Sequence, residues 1–253
     1  MRVAVLGRDG EATRVLVNAL ARAHEVVVVV LERPEPRLEF LGRRARRLGL
    51  RRVAGELAFR ALAMPLLRRR ARARLDEIAR EHGLDRSAVE ERLVRRVDSV
   101  NDPGTVELLR EARPNVVVLA GPRIVSGEVL RSVDAPFVNV HAGITPLYRG
   151  VHGGWWALER GDRANCGVTV HLVDEGVDTG GVLAQARIDP GPRDGFATYP
   201  LLQLAAGLPL LLDALPAVAA GEARTVEPPA RESRLWTHPT IGEYLRARLR
   251  GVR

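Results

Sequence analysis

Short, unbroken apolar runs punctuate the chain. Arg2–Gly7 is the first, Glu25–Leu31 with five consecutive valines the second, Asn115–Ala120 the third and Phe137–His141 the fourth. Runs this short and this rich in β-branched residues predict strands covered on both faces. Helical spacing separates them, over Glu11–Ala23 after the first run and Thr105–Ala112 before the third. Strand alternating with helix predicts an α/β fold with a doubly wound, mostly parallel, Rossmann-like sheet. Ligands of such sheets lie beyond the carboxyl ends of the strands, and those ends carry Gly7, Gly121 and His141.

A different period begins at Cys166. Cys166, Val168, Val170 and Leu172 alternate with Thr169 and His171, so the two sets face opposite sides of a strand. Gly180–Asp189 predicts its partner, joined through the loop Asp174–Thr179. An apolar helix is expected over Tyr199–Ala220, broken at Pro209 and Pro216. From Pro228 the tail reads as irregular until a short helix over Ile241–Arg250. Residues 33–100 interrupt the alternation with Arg-rich sequence that reads as helical throughout. Within it, Ser87 followed by Glu90 predicts a capping box opening a helix. Leu62, Leu66 and Leu67 recur at helical spacing and predict a face packed on the sheet domain. Its arginines are then expected outside or along the cleft, as neither a DNA reader nor a membrane anchor. The chain therefore divides into a core, 1–190, carrying the helical insertion 33–100, and a C-terminal helical extension, 191–253.

Composition narrows the class. Of 253 residues, 46% are apolar and 28% charged, which excludes a wholly disordered chain. No apolar run looks long enough to span a bilayer, the N-terminus does not read as a signal peptide, and Cys166 has no partner for a disulfide. A cytoplasmic protein is expected. The net charge of +8 invites a nucleic-acid reading, but all 39 basic residues are arginine and aromatics are only 4%. The arginine bias fits GC-rich codon usage, and stacking platforms for bases are scarce. Nucleic acid is therefore disfavoured as a partner, and a homodimer is left open.

Candidate chemistry gathers at the fourth strand. Asn139 and His141 lie two apart and point to one face, just before the loop Ala142–Gly154. An amide and an imidazole there offer an oxyanion donor and an acid–base group suited to neutral pH. The acidic residues of Asp174–Gly181 read as turn chemistry, with Asp174 and Asp178 as a weaker cation candidate; no further metal ligands follow. Gly7–Gly10 lacks the full dinucleotide fingerprint, although Glu32 ends the second strand where a ribose binder would sit.

Four motifs in order carry a resemblance: Asn139-x-His141, Pro146-x-Tyr148-Arg149-Gly150, Gly167-Val168-Thr169-Val170-His171 and Gly176-Val177-Asp178-Thr179-Gly180. Together they resemble the folate-dependent formyltransferases, which include glycinamide ribonucleotide, methionyl-tRNA and amino-sugar N-formyltransferases. The resemblance implies a catalytic trio of Asn139, His141 and Asp178, with N10-formyltetrahydrofolate as formyl donor. It implies a protonated His141 kept charged by Asp178, and support from His171, Thr169, Gly143 and His152. It places the folate ring against Arg123, Ile124 and Val125 and against Asp174, Glu175, Gly176 and Val177.

Three departures bear on the acceptor. Gly143 stands where the purine-pathway member has Ser and amino-sugar members often have Gly. Arg8-Asp9-Gly10-Glu11 replaces that member's Gly-Ser-Asn phosphate loop. After Asp189 nothing reads as the transfer-RNA enzyme's barrel. The expectation is an N-formyltransferase for a small amine, amino-sugar-like or a specialised metabolite, and anionic if arginines line the cleft. A formyltetrahydrofolate hydrolase and a basic binding protein with a vestigial site are the alternatives.

Overall fold

The computed structural model describes residues 1–35, 37–227 and 232–253. The first apolar run forms β1 (Arg2–Arg8), and α1 (Glu11–Ala23) leads to β2 (Glu25–Glu32). The insertion runs through α2 (Arg37–Leu48), α3 (Leu50–Ala58), a π turn over Phe59–Ala63 and α4 (Met64–Glu81). It re-enters the sheet as β3 (Val94–Val97). Then come α5 (Pro103–Ala112), β4 (Val116–Ala120), α6 (Gly127–Leu130) and β5 (Phe137–His141). A loop with β6 (Arg149–Gly150) and α7 (Gly153–Glu159) precedes the hairpin β7 (Gly167–Leu172) and β8 (Val182–Arg187). The chain ends in α8 (Tyr199–Ala219), β9 (Leu235–Trp236) and α9 (Ile241–Leu249).

The seven-stranded sheet has the order β3-β2-β1-β4-β5-β7-β8. Its first five strands are parallel, and β7 and β8 each run antiparallel to the strand before them. Alternation along each strand splits the valines between two faces. Val3, Val5, Val116 and Val118 pack with Leu16 and Leu20 of α1 and with Leu204, Leu208 and Leu211 of α8. Ala4, Leu6, Val117 and Leu119 face Val106 and Leu109 of α5 and Val129 of α6. A third cluster is aromatic: Phe59, Tyr148, Trp155, Trp156, Phe196, Tyr199 and Tyr244 bind the insertion, α7 and α9 together. Aromatics are few, and here they are concentrated where they join three segments.

Several sequence expectations need correction. Residues 33–100 are not helical throughout, because β3 adds an edge strand beside β2. No helix opens at Ser87: its N–H and hydroxyl both bond Asp85 Oδ1, and Glu90 is extended before a single 3-10 turn. A capping box does exist, at Thr240 and Glu243 of α9. α8 passes through Pro209 and Pro216 without breaking. An interior proline costs about 3 kcal/mol, and the burial of Leu204, Leu208, Leu211 and Leu215 on the sheet outweighs it. By length and composition α8 could also cross a membrane, so an apolar run of that size is present after all, but half of it is buried here as a core helix. Finally, Leu62 and Leu66 face solvent; Val53, Phe59, Ala63, Met64 and Leu67 make the packed side.

Candidate active site

Pairing of β5 with β7 sets Asn139 opposite His171 and His141 opposite Thr169. All four lie at the carboxyl end of β5, the edge where ligands of such sheets gather. Asp178 reaches them from the β7–β8 loop with a left-handed φ of +52°. A non-glycine residue held there carries strain that its surroundings must offset.

The offset is visible in its bonds. Asp178 Oδ2 accepts from Gly150 N–H at 2.8 Å and lies 3.3 Å from His141 Nδ1. Asp178 Oδ1 accepts from Asn139 Nδ2 at 3.3 Å. His171 Nδ1 donates to the Leu172 carbonyl at 2.6 Å, so in the neutral ring Nε2 is free to accept from Asn139 Nδ2 at 3.2 Å. His141 Nε2 donates to the Tyr148 carbonyl at 2.7 Å. The structure thus brings Asn139, His141, His171 and Asp178 into one interlocked group. The bonds to the Asn139 amide are long and the His141–Tyr148 bond is short, so the imidazole is fixed and the amide is loosely held.

Burial pushes the His141 imidazole below its ordinary value, although Asp178 and the Tyr148 carbonyl pull the other way. Burial also raises the Asp178 carboxyl, but His171, His141 and the Gly150 N–H together hold it below the usual carboxylate range. Against the expectation of a His141 kept charged by Asp178 stands burial, the largest influence on the imidazole, which acts in the opposite direction. With Nε2 given to the Tyr148 carbonyl, Nδ1 is the nitrogen that faces the Asp178 carboxylate.

The other expected supports divide. Thr169 donates to the Gly143 carbonyl at 2.8 Å and accepts from Thr145 N–H at 3.1 Å and Gln185 at 3.0 Å, which shapes the loop rather than the chemistry. A Cβ on Gly143 would lie 2.8 Å from His141 Nε2 and would overlap the Tyr148 carbonyl. Glycine is required there by close approach. His152 is not part of the group: it bonds His238 at 3.0 Å and packs on Phe196. Among the expected folate contacts, Arg123 is spent on Glu32, through its backbone N–H at 2.7 Å and Nε at 2.6 Å. Glu32, buried and also paired with Arg8, is a clamp and not a ribose ligand. The Val125 side chain is buried, whereas Ile124 is exposed. Asp174 accepts from Gly176 N–H and Thr179, as turn chemistry predicts; Glu175 pairs with Arg131, and the Val177 carbonyl accepts from Arg149.

Sequence reasoning missed the tail. β9 pairs with β6, so Val151 N–H bonds the Trp236 carbonyl at 3.2 Å and Trp236 Nε1 bonds the Leu147 carbonyl at 3.1 Å. The Trp236 ring stacks on Tyr148 and Trp156. Trp236 thereby holds the segment that supplies both the Tyr148 carbonyl to His141 and the Gly150 N–H to Asp178. The signal available in the sequence was an isolated Trp in a polar tail.

Comparison with known proteins adds three findings. A family model described as formyl transferase matches residues 1–199. Methionyl-tRNA formyltransferase of Chloroflexus aggregans is 38% identical over 128 residues, which is 49% of this chain and 40% of that protein. The chain thus spans less than half the length of the first curated relatives it matches. In fold, glycinamide ribonucleotide transformylase 1 of Symbiobacterium toebii superposes with a TM-score of 0.57 at 22% identity, covering 93% of this chain and 94% of that one. A sugar N-formyltransferase of a Shewanella species gives 0.55 at 15% identity, covering 91% and 74%.

Proposed function

The chain belongs to the formyl transferase family, and from that premise we propose that it moves a formyl group from N10-formyltetrahydrofolate to the amine of a small, amino-sugar-like acceptor. The observation that carries this reading is the interlock of Asn139, His141 and Asp178 around one strand end. Ile124, exposed just ahead of α6, and the backbone of Asp174–Val177 provide an apolar face and polar edges that fit a pterin ring.

The residues then act in sequence. Asn139 releases Asp178 and gives its amide hydrogen to the formyl oxygen as the amine adds to the formyl carbon. The His141–Asp178 pair takes the proton the amine sheds and returns it to the folate nitrogen that leaves. The Tyr148 carbonyl keeps the imidazole in place throughout. Long bonds at rest that tighten with substrate are usual for such groups.

In this reading the acceptor lies beside β9, which pairs with Arg149–Gly150 and has α3 of the insertion behind it through Arg52 and Thr237. Arginines turned inward there are already paired, Arg52 with Glu243 and Arg74 with Asp194.

The test is a panel of amino sugars and other small amines incubated with the protein and the formyl donor. A mass gain of one formyl group on an acceptor supports the proposal. Formate release that needs no amine would replace it with a hydrolase, and an unconsumed donor would remove both.

A further inference from the structure

The longest helix of the insertion has a face that none of the described residues covers. α3, the π turn and α4 run on from Leu50 to Glu81. Their inner side carries Val53, Phe59, Ala63, Met64 and Leu67. On the outer side Leu50, Leu57, Leu62 and Leu66 are 77%, 41%, 71% and 47% exposed. In a regular α-helix Leu62 and Leu66 would rotate away from the Leu50–Leu57 line. The wider π turn at Phe59–Ala63 absorbs additional chain and brings them back toward it. The outer leucines therefore form one stripe, where isolated exposed leucines would call for no explanation.

Charge surrounds that stripe. Arg51, Arg68, Arg69 and Arg72 are exposed and make no ion pair among the described residues. Residues 37–81 contain 14 arginines against 5 carboxylates, so of the chain's 39 and 31 the remainder holds 25 and 26. The whole positive charge of the protein is thus concentrated in the insertion.

An occupant of this face has to be anionic and apolar at once. Duplex nucleic acid meets the arginines and leaves the leucines against water. A second copy brings the same excess of arginine and is repelled. An anionic bilayer meets both, taking leucines at the acyl boundary and arginines among the headgroups. In place of the sequence expectation that this segment serves no membrane, we propose that the outer face of α3 and α4 docks this protein peripherally on anionic lipid surfaces. The docking is independent of which amine is formylated.

Sedimentation of the full chain with vesicles tests this, using phosphatidylcholine alone or mixed with phosphatidylglycerol. Binding is expected to the mixed vesicles only, and to be lost in high salt. Changing Arg68, Arg69 and Arg72 to Gln should weaken it roughly 100-fold, and Leu62→Gln with Leu66→Gln about tenfold. These positions are exposed, so far-UV circular dichroism and melting should stay unchanged. Equal binding to neutral vesicles, or unaltered binding by both variants, overturns the proposal. So does salt-sensitive retention on nucleic acid, or concentration-dependent self-association lost in the leucine variant, when vesicles are not bound.

Discussion

Asp178 is held at a left-handed φ by one backbone N–H and two neighbouring side chains, and its charge opposes the effect of burial on His141. Replacing either His141 or Asp178 with Ala should cost about 100-fold in turnover, the scale of a lost acid–base group. The pH dependence is more specific. If unprotonated His141 is the working form, activity falls as pH drops through its titration, which lies below the ordinary imidazole value of 6.5. Asp178 pulls that titration upward, so Asp178→Asn should move the acid limb of kcat further down while lowering its plateau. A limb that moves up in the variant contradicts the assignment of roles. Gly143→Ser should fail for steric reasons, since its Cβ would press on His141 and the Tyr148 carbonyl. Overpacking of this kind costs about 1–3 kcal/mol, visible as a lower melting temperature together with lower activity. Asn139 and His141 were legible because side-chain type and two-residue spacing encode them; Asp178 came only from the family resemblance, since acids in a hairpin loop read as turn chemistry. The Tyr148 carbonyl and Gly150 N–H were not, because a backbone group leaves no mark in the sequence.

At the level of elements, the valine runs announced β1, β2, β4 and β5, because strands buried on both faces admit little else. β3 escaped notice because it is an edge strand whose central residues, Arg95 and Arg96, are exposed. Edge strands are commonly blunted by charge in this way. β9 escaped because two residues carry no period; its role shows only in what it touches. Gly150 has a φ of +96°, and a Cβ there would overlap the Trp236 carbonyl. Gly150→Ala should therefore push β9 off β6 and loosen Asp178. A fall of roughly tenfold or more in kcat is expected, as for misplaced catalytic groups, with sheet and helix content by circular dichroism retained. Wild-type turnover in Gly150→Ala would show that the tail strand does not position the site.

Across the whole molecule, the third core ties insertion, α7 and tail together, and a half-buried imidazole pair packs against its Phe196. Burial, then the neighbouring charges of His238 and Arg60, push His152 down from 6.5 to about 3. Burial, then Arg60 and Arg44, push His238 down from 6.5 to about 4. Between the unfolded value and these folded ones, the unfolded chain binds more protons, so stability falls with falling pH. The melting temperature should hold above pH 6.5 and decline toward pH 4, and His238→Gln should flatten that decline. A steeper decline in the variant would assign the acid sensitivity elsewhere. This pair was invisible in the sequence, where His152 and His238 stand 86 residues apart.

The central claim is that Asn139, His141 and Asp178 transfer a formyl group to an amine. The most direct measurement is a single-turnover experiment with enzyme in excess of N10-formyltetrahydrofolate, following release of tetrahydrofolate with and without an accepted amine. The account predicts amine-dependent release that slows about 100-fold in Asn139→Ala and in His141→Ala, with donor binding unchanged by titration. Release at the wild-type rate in His141→Ala would contradict it.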